Sequence, residues 1–246
     1  MASKQLGPCC FKSINHIGTP IGLFKDVYGL NTYQIGEQYG TEKVIVFLTD
    51  VFGHQYMNNC LVADRLSEKA KALVLVPDIL QNDPISSKTD LFNRYEKWLV
   101  AHGVEKTSNI VQGFLSRLRS ETKTKYVFGI GHCFGARYVV RNLSDSGLFD
   151  SGAIAHPANV SIEEVESVVS PILISTAAVD PYFSDILREK TIEILTRNEV
   201  WYQLTIFQGV DHGFAARGNP NDKKVVYSQG KVISDQIEFF SINLLQ

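Results

Sequence analysis

Three short segments of the chain carry residues able to break an acyl bond. Gly131-His132-Cys133-Phe134-Gly135 has the form glycine–x–nucleophile–x–glycine, with a thiol as the nucleophile. A nucleophile in this setting stands on a tight turn from a strand into a helix. The flanking residues must be small where strand and helix approach, and Gly131 and Gly135 meet that demand. The helix start offers free N–H groups and the positive end of the helix dipole, which favour a thiolate and can hold an oxyanion. Taken alone, the pentapeptide fits a small buried thiol filling a tight turn equally well. The second segment is Ala177-Ala-Val-Asp180-Pro181 and the third is Val210-Asp211-His212-Gly213-Phe214. An isolated Asp-Pro is ordinarily a turn or a helix cap, and an isolated loop histidine is ordinarily a surface residue. The order nucleophile, acid, histidine gives the three segments joint meaning. His212 would accept the Cys133 proton, and Asp180 would hold the imidazole tautomer and orientation. Asp211 is a rival acid, but its neighbour in sequence is His212 itself, so its side chain is expected to point away.

The elements between these segments must bring them to one place. Val44–Thr49 and Leu73–Pro77 are continuous apolar runs of strand length, the pattern of parallel strands covered on both faces. Further strands are predicted at Tyr126–Ile130, Gly152–Ala155, Pro171–Thr176 and Trp201–Phe207. Helical spacing marks Gln55–Lys71, Gly135–Leu143, Ile186–Thr196 and Val225–Leu245. Leu91–Leu118 reads as helical with a break near Gly103, after a polar loop at Asn82–Lys88. The Gly-rich stretch His16–Gly36 reads as a β-hairpin leading into the core. Strands alternating with helices imply an α/β fold, a mainly parallel sheet with helices on both faces. Functional loops of such sheets lie beyond the carboxyl ends of the strands, where Cys133, Asp180 and His212 all fall.

Bulk properties narrow the field. The 246 residues fit one domain spanning 1–246 better than two small ones. The formal net charge is −2 and no basic block stands out, which argues against nucleic acid or an anionic membrane as partner. No apolar run reaches membrane-spanning length, and Met1–Pro8 lacks the pattern of a secretory signal. A cytoplasmic location is therefore expected, with mitochondrial association left open. Of the four cysteines, Cys9, Cys10, Cys60 and Cys133, the adjacent pair could form half a metal site. Only His16 stands near it, so plain thiols and no metal are expected.

The motifs together resemble the dienelactone hydrolase family, and the N-terminal Pro8-Cys-Cys-Phe…His16-x-Gly-Thr-Pro-x-Gly22 resembles its fungal branch. The resemblance runs along nearly the whole chain. It rests on Asp50-Val-Phe-Gly53, Val76-Pro77-Asp78, Gly-His-Cys133-Phe-Gly, Asp180-Pro and His212-Gly-Phe. It implies an α/β-hydrolase fold and a Cys133–Asp180–His212 triad that opens lactones or related esters through an acyl-enzyme, without metal or organic cofactor. It also implies an oxyanion hole made by the backbone N–H groups of Phe134 and Val51. In bacterial members a Glu before x-Phe-Gly contacts the resting thiol. Here Asp50, one methylene shorter, stands there, and the rival reading is a loop residue that bonds nearby N–H groups. Bacterial members also hold a substrate carboxylate with two arginines. Leu80-Gln81-Asn82 occupies the place of one. Arg217 stands near the place of the other, five residues after His212, as a substrate contact or as a solvated charge. His156, in Ala155-His156-Pro157, ends a predicted strand and either borders the pocket or is a buried loop residue.

The expected activity is hydrolysis of a small ester or lactone by a monomer or weak dimer. Two other readings stay open. One is a thioesterase or acyltransferase built on the same residues, and the other is an idle relative that uses the cleft for binding.

Overall fold

The computed structural model describes residues 14–85, 97–242 and 244. Cys9 and Cys10, together with the parts of the expected loop and helix between 86 and 96, lie outside these residues. In chain order the elements are β1 (Leu23–Val27), β2 (Leu30–Ile35), β3 (Lys43–Leu48), α1 (Met57–Ala70), β4 (Leu73–Pro77), α2 (Val104–Glu121), β5 (Tyr126–His132), α3 (Phe134–Arg141) and β6 (Ser151–Ala155). There follow α4 (Ile162–Glu166), β7 (Ile172–Ala177), α5 (Asp185–Arg197), β8 (Tyr202–Phe207), α6 (Phe214–Arg217) and α7 (Lys223–Ile242).

All eight strands form one sheet in the order β1-β2-β4-β3-β5-β6-β7-β8. β1 and β2 form the expected hairpin, closed through Tyr28 and Gly29, both at positive φ as a tight two-residue hairpin turn requires. β2 joins β4 antiparallel, and every pairing from β4 to β8 is parallel. The chain leaves β3 to build outward to β4, then returns to place β5 on the other side. Loops after β3 and β5 therefore open at the point where the winding reverses, the usual cleft of such sheets.

Alternation along each buried strand splits the core into two layers. Val44, Val46 and Leu48 of β3 face a layer completed by α2, α3, α4 and α5. Ile45 and Phe47 face the other layer, completed by α1 and α7. Helix α2 buries Val111, Phe114, Leu115 and Leu118, a single stripe at helical spacing. Gly103 immediately precedes it, and a helical turn over residues 97–101 stands before that, so the expected break is present. The short helices α4 and α6 were not anticipated. β8, within the strand expected at Trp201–Phe207, is an outer strand with partly exposed residues.

Backbone approaches backbone very closely where α3 meets β3. A Cβ placed on Gly135 would lie 2.1 Å from the Leu48 carbonyl oxygen, and one on Gly131 would lie 2.6 Å from Ala136 Cα. These are backbone atoms and cannot swing aside. Gly113, on α2, has nothing within 4 Å of such a Cβ. Gly135→Ala is therefore expected to destabilise the protein by about 2–3 kcal/mol through overpacking. Gly113→Ala is expected to stabilise it by about 0.5–1 kcal/mol through helix propensity. Urea unfolding midpoints check both, and equal small effects would contradict the packing argument.

Candidate active site

Four loops meet at the carboxyl edge of the parallel sheet. Cys133 follows β5, Asp180 follows β7, His212 follows β8, and Asp50–Gly53 follows β3. Cys133 caps α3 with φ 52° and ψ −110°, a backbone conformation that β-carbon-bearing residues seldom adopt. The surroundings impose it. The Cys133 N–H donates to the Ala155 carbonyl, and the Cys133 carbonyl accepts from Ala158 N–H and Ala136 N–H. The sulfur is thereby held at the mouth of a helix whose first N–H groups have no intrahelical acceptor. Phe134 opens that helix, its ring packed between Trp98 and Tyr138 at centroid distances of 5.4 and 5.1 Å.

The three side chains singled out by order come together. His212 Nε2 lies 3.2 Å from Cys133 Sγ, and His212 Nδ1 lies 2.9 Å from Asp180 Oδ2. Asp180 Oδ1 accepts the Tyr182 N–H at 2.9 Å, which fixes the carboxylate on its turn. Cys133, Asp180 and His212 are 0, 4 and 6 % exposed. Tyr182 packs its ring edge-on against His212, with centroids 4.7 Å apart. The imidazole is thus oriented at one nitrogen by a buried carboxylate and presents the other to the thiol. Asp211 is exposed at the surface, away from this line.

Asp50 and Arg217 are also brought together. Their side chains form an ion pair of 2.7 Å, Arg217 Nε to Asp50 Oδ2, with 1 and 0 % of each side chain exposed. The solvated-charge reading of Arg217 is therefore excluded. Asp50 Oδ1 accepts from the Phe52 N–H and from Asn59 Nδ2, both at 3.1 Å. The residues where bacterial members carry the other arginine are differently used. Leu80 is buried, and the Leu80 and Asn82 N–H groups donate to the Asp78 carboxylate. Val51 is fully buried, and its carbonyl accepts the Ile85 N–H at 2.8 Å, so its peptide is pinned beside the site.

His156 has no exposed surface and is an interior neighbour of the site. Its ring lies 5.2 Å from that of His212 and 5.2 Å from that of His132, centroid to centroid. Sequence reasoning passed over His132, Asn59 and Tyr182. His132 could have been suspected, because the residue before an elbow nucleophile ends a buried strand. Nothing local marked Asn59, whose partners come from a loop six residues or more away. Among the described residues, no group of three or more His, Cys, Asp or Glu is arranged to hold a metal ion. No helix among them is long and apolar enough to cross a membrane.

A model of the dienelactone hydrolase family matches residues 30–244. The chain is 32% identical to the hydrolase tropI of Talaromyces stipitatus, with 98% of both chains covered. It is 30% identical to dienlactone hydrolase 1 of Gibberella moniliformis, covering 96% of this chain and 94% of that one. Among solved structures it is similar to P91, a dienelactone hydrolase-like promiscuous phosphotriesterase from metagenomic libraries, with TM-score 0.64, 15% identity, and 89% and 97% of the two chains covered. That last likeness concerns the fold.

The two interior histidines have a consequence for stability. Burial, reinforced by the charge of Arg217, pushes the His132 imidazole down from 6.5 to about 3. Burial and then the neighbouring His212 hold His156 well below the ordinary range. Both are therefore neutral in the fold, while the unfolded chain takes up their protons near pH 6.5. Their contribution to stability is complete above pH 6.5 and is lost as the pH falls from there toward 3. Between pH 7 and 5 the loss is expected to be about 2 kcal/mol for His132, with His156 adding to it in the same direction. Thermal unfolding across that range checks it, and His132→Leu should flatten the slope. A pH-independent Tm in the wild type would contradict the assignment of neutral imidazoles.

Proposed function

This chain belongs to the dienelactone hydrolase family, and from that premise we propose that it cleaves a small ester or lactone through an acyl-enzyme on Cys133. The observation that carries the reading is the continuous buried line from Asp180 through His212 to the Cys133 sulfur, with contacts of 2.9 and 3.2 Å. Such an arrangement matches what nucleophilic catalysis demands: a nucleophile within reach of a base, and a base oriented by a third group.

In this scheme His212 Nε2 takes the thiol proton as sulfur attacks the substrate carbonyl. The Asp180 carboxylate stabilises the resulting imidazolium through Nδ1 without taking its proton. The carbonyl oxygen becomes an oxyanion and rests on the N–H groups of Phe134 and Val51. The tetrahedral adduct collapses, the C–O bond to the leaving oxygen breaks, and that oxygen receives the proton from His212. An ester then releases its alcohol. A lactone keeps the freed hydroxyl on the acyl chain. Water, deprotonated by His212, attacks the thioester and regenerates the thiol. Burial of the whole line strengthens each of these electrostatic interactions relative to water.

The family premise supports hydrolysis itself, and the buried thiol–imidazole contact supports cysteine as nucleophile. Cys133→Ala is expected to lower kcat on small esters and lactones by at least about 10³, and Asp180→Asn by about 10²–10⁴. Mass spectrometry of a quenched reaction should show the acyl group on the Cys133 peptide. Undiminished turnover in Cys133→Ala would end the proposal.

A further inference from the structure

The oxyanion loop is held from beneath by buried charge. Asp50 begins that loop, and its carboxylate reaches three separate parts of the molecule: the Phe52 N–H in its own turn, Asn59 Nδ2 on α1, and Arg217 Nε at the end of α6. Asn59 also donates to the Gly53 carbonyl at 2.9 Å, closing the other end of the same turn. Phe52 lies beneath the guanidinium, its ring centroid 5.3 Å from Arg217 Cζ. Thus the residues on both sides of Val51 are fixed by side chains that converge on Asp50.

Arg217 is tied equally closely to the histidine loop. It ends the single helical turn that begins at Phe214, directly after His212-Gly213. A Cβ on Gly213 would lie 2.6 Å from Arg217 Cζ, so the guanidinium is folded back over the backbone next to His212. The ion pair therefore joins the loop after β3 to the loop after β8, although β5, β6 and β7 separate these strands in the sheet.

Two roles compete for a buried arginine here. A receptor for a substrate carboxylate must exchange Asp50 for the ligand. A positioning residue must keep Asp50. Asp50 Oδ1 accepts two hydrogen bonds, Asp50 Oδ2 faces the guanidinium in a 2.7 Å ion pair, neither side chain is exposed, and parting the two would take a buried carboxylate from its counter-charge. Building on the acyl-transfer reading above, we propose that Arg217 is a positioning residue. Through Asp50 it sets the Val51 N–H relative to Cys133 and His212, and it does not receive a carboxylate of the substrate. The enzyme accordingly accepts its substrate without a carboxylate at this position.

The test compares two nitrophenyl esters with the same leaving group, one neutral (the acetate) and one carrying a carboxylate (the hemisuccinate). Arg217→Met and Asp50→Asn should each lower kcat by about 10–100-fold on both esters alike, with KM within about threefold. Misplacing a transition-state donor, unlike removing a binding contact, acts on kcat. Arg217→Lys, which keeps the charge, should recover part of the loss on both. Amide hydrogen exchange over residues 51–53 should quicken in Arg217→Met. The double variant Asp50→Asn/Arg217→Met removes both charges, so it guards against a folding defect caused by one stranded ion. Its kcat should be no lower than that of Arg217→Met alone. A rise in KM confined to the anionic ester, with kcat on the neutral ester unchanged, would make Arg217 a substrate receptor and overturn the proposal. Unchanged exchange at 51–53 together with unchanged kcat would overturn it too. If the wild type cleaves neither ester, the acyl-transfer reading fails, while the exchange measurement still decides whether the ion pair holds the loop.

Discussion

The site depends on one close packing event, the approach of α3 to the end of β3. Gly135 brings the helix against the Leu48 carbonyl at a distance no side chain allows. This sets the helix start beside the loop at Asp50–Gly53 and turns the chain so sharply that Cys133 takes a positive φ. Such a conformation costs on the order of 1–3 kcal/mol and persists only because the neighbours over-determine it. Here they do so through the hydrogen bond that the Cys133 N–H donates to Ala155 and those its carbonyl accepts from Ala158 and Ala136. The Cα of Cys133 is fixed as a result, and from it the sulfur reaches His212 at 3.2 Å.

The histidine side is governed by burial. His212 is enclosed by Asp180, Tyr182 and His156 and touches the thiol at 3.2 Å. A cation is costly in such a place unless it is paired. The neighbouring histidines meet this constraint by staying neutral, and His212 has the Asp180 carboxylate beside it. Of the three clustered imidazoles, His212 is the one placed 2.9 Å from a carboxylate. The discrimination among chemically identical rings thus comes from a single carboxylate at the end of β7.

Much of this frame was legible in the sequence because it rests on local pattern. Apolar runs of strand length, helical stripes and the glycines around Cys133 each record a nearby physical demand, and the sheet with helices on both faces follows from their alternation. The chain order of Cys133, Asp180 and His212 places them at strand ends by the same logic. What was hidden depends on contacts remote in sequence. Arg217 read equally well as a surface charge, since nothing within its own turn says that Asp50 lies 2.7 Å away. Asn59 looked like any polar residue near a helix start. The outer position of β8 follows from the order of pairing in the sheet, which its own six residues do not encode. Helix α4 is a different case: Ser161 and Glu164 form a capping box whose spacing was visible, and its brevity concealed it.

The contrast between Cys133 and Arg217 shows why reaction class is easier to read than substrate. Acyl chemistry through a thiol needs a fixed set of residue types in a fixed order at strand ends, and that combination, more than any one segment, carries the signal. Substrate recognition needs only complementary groups, which any part of the chain can supply and which can be diverted to other duties. Arg217 holds the spacing of a ligand-binding arginine to within one residue, but its charge is matched inside the protein by Asp50. Shortening the acid from Glu to Asp removes a methylene of reach. The shorter carboxylate is fastened by Phe52 N–H and Asn59 as well as by the guanidinium. A group held at three points resists displacement by a single incoming anion. Under the role proposed above for Arg217, the pair serves the geometry of the Asp50–Gly53 loop rather than contact with a ligand.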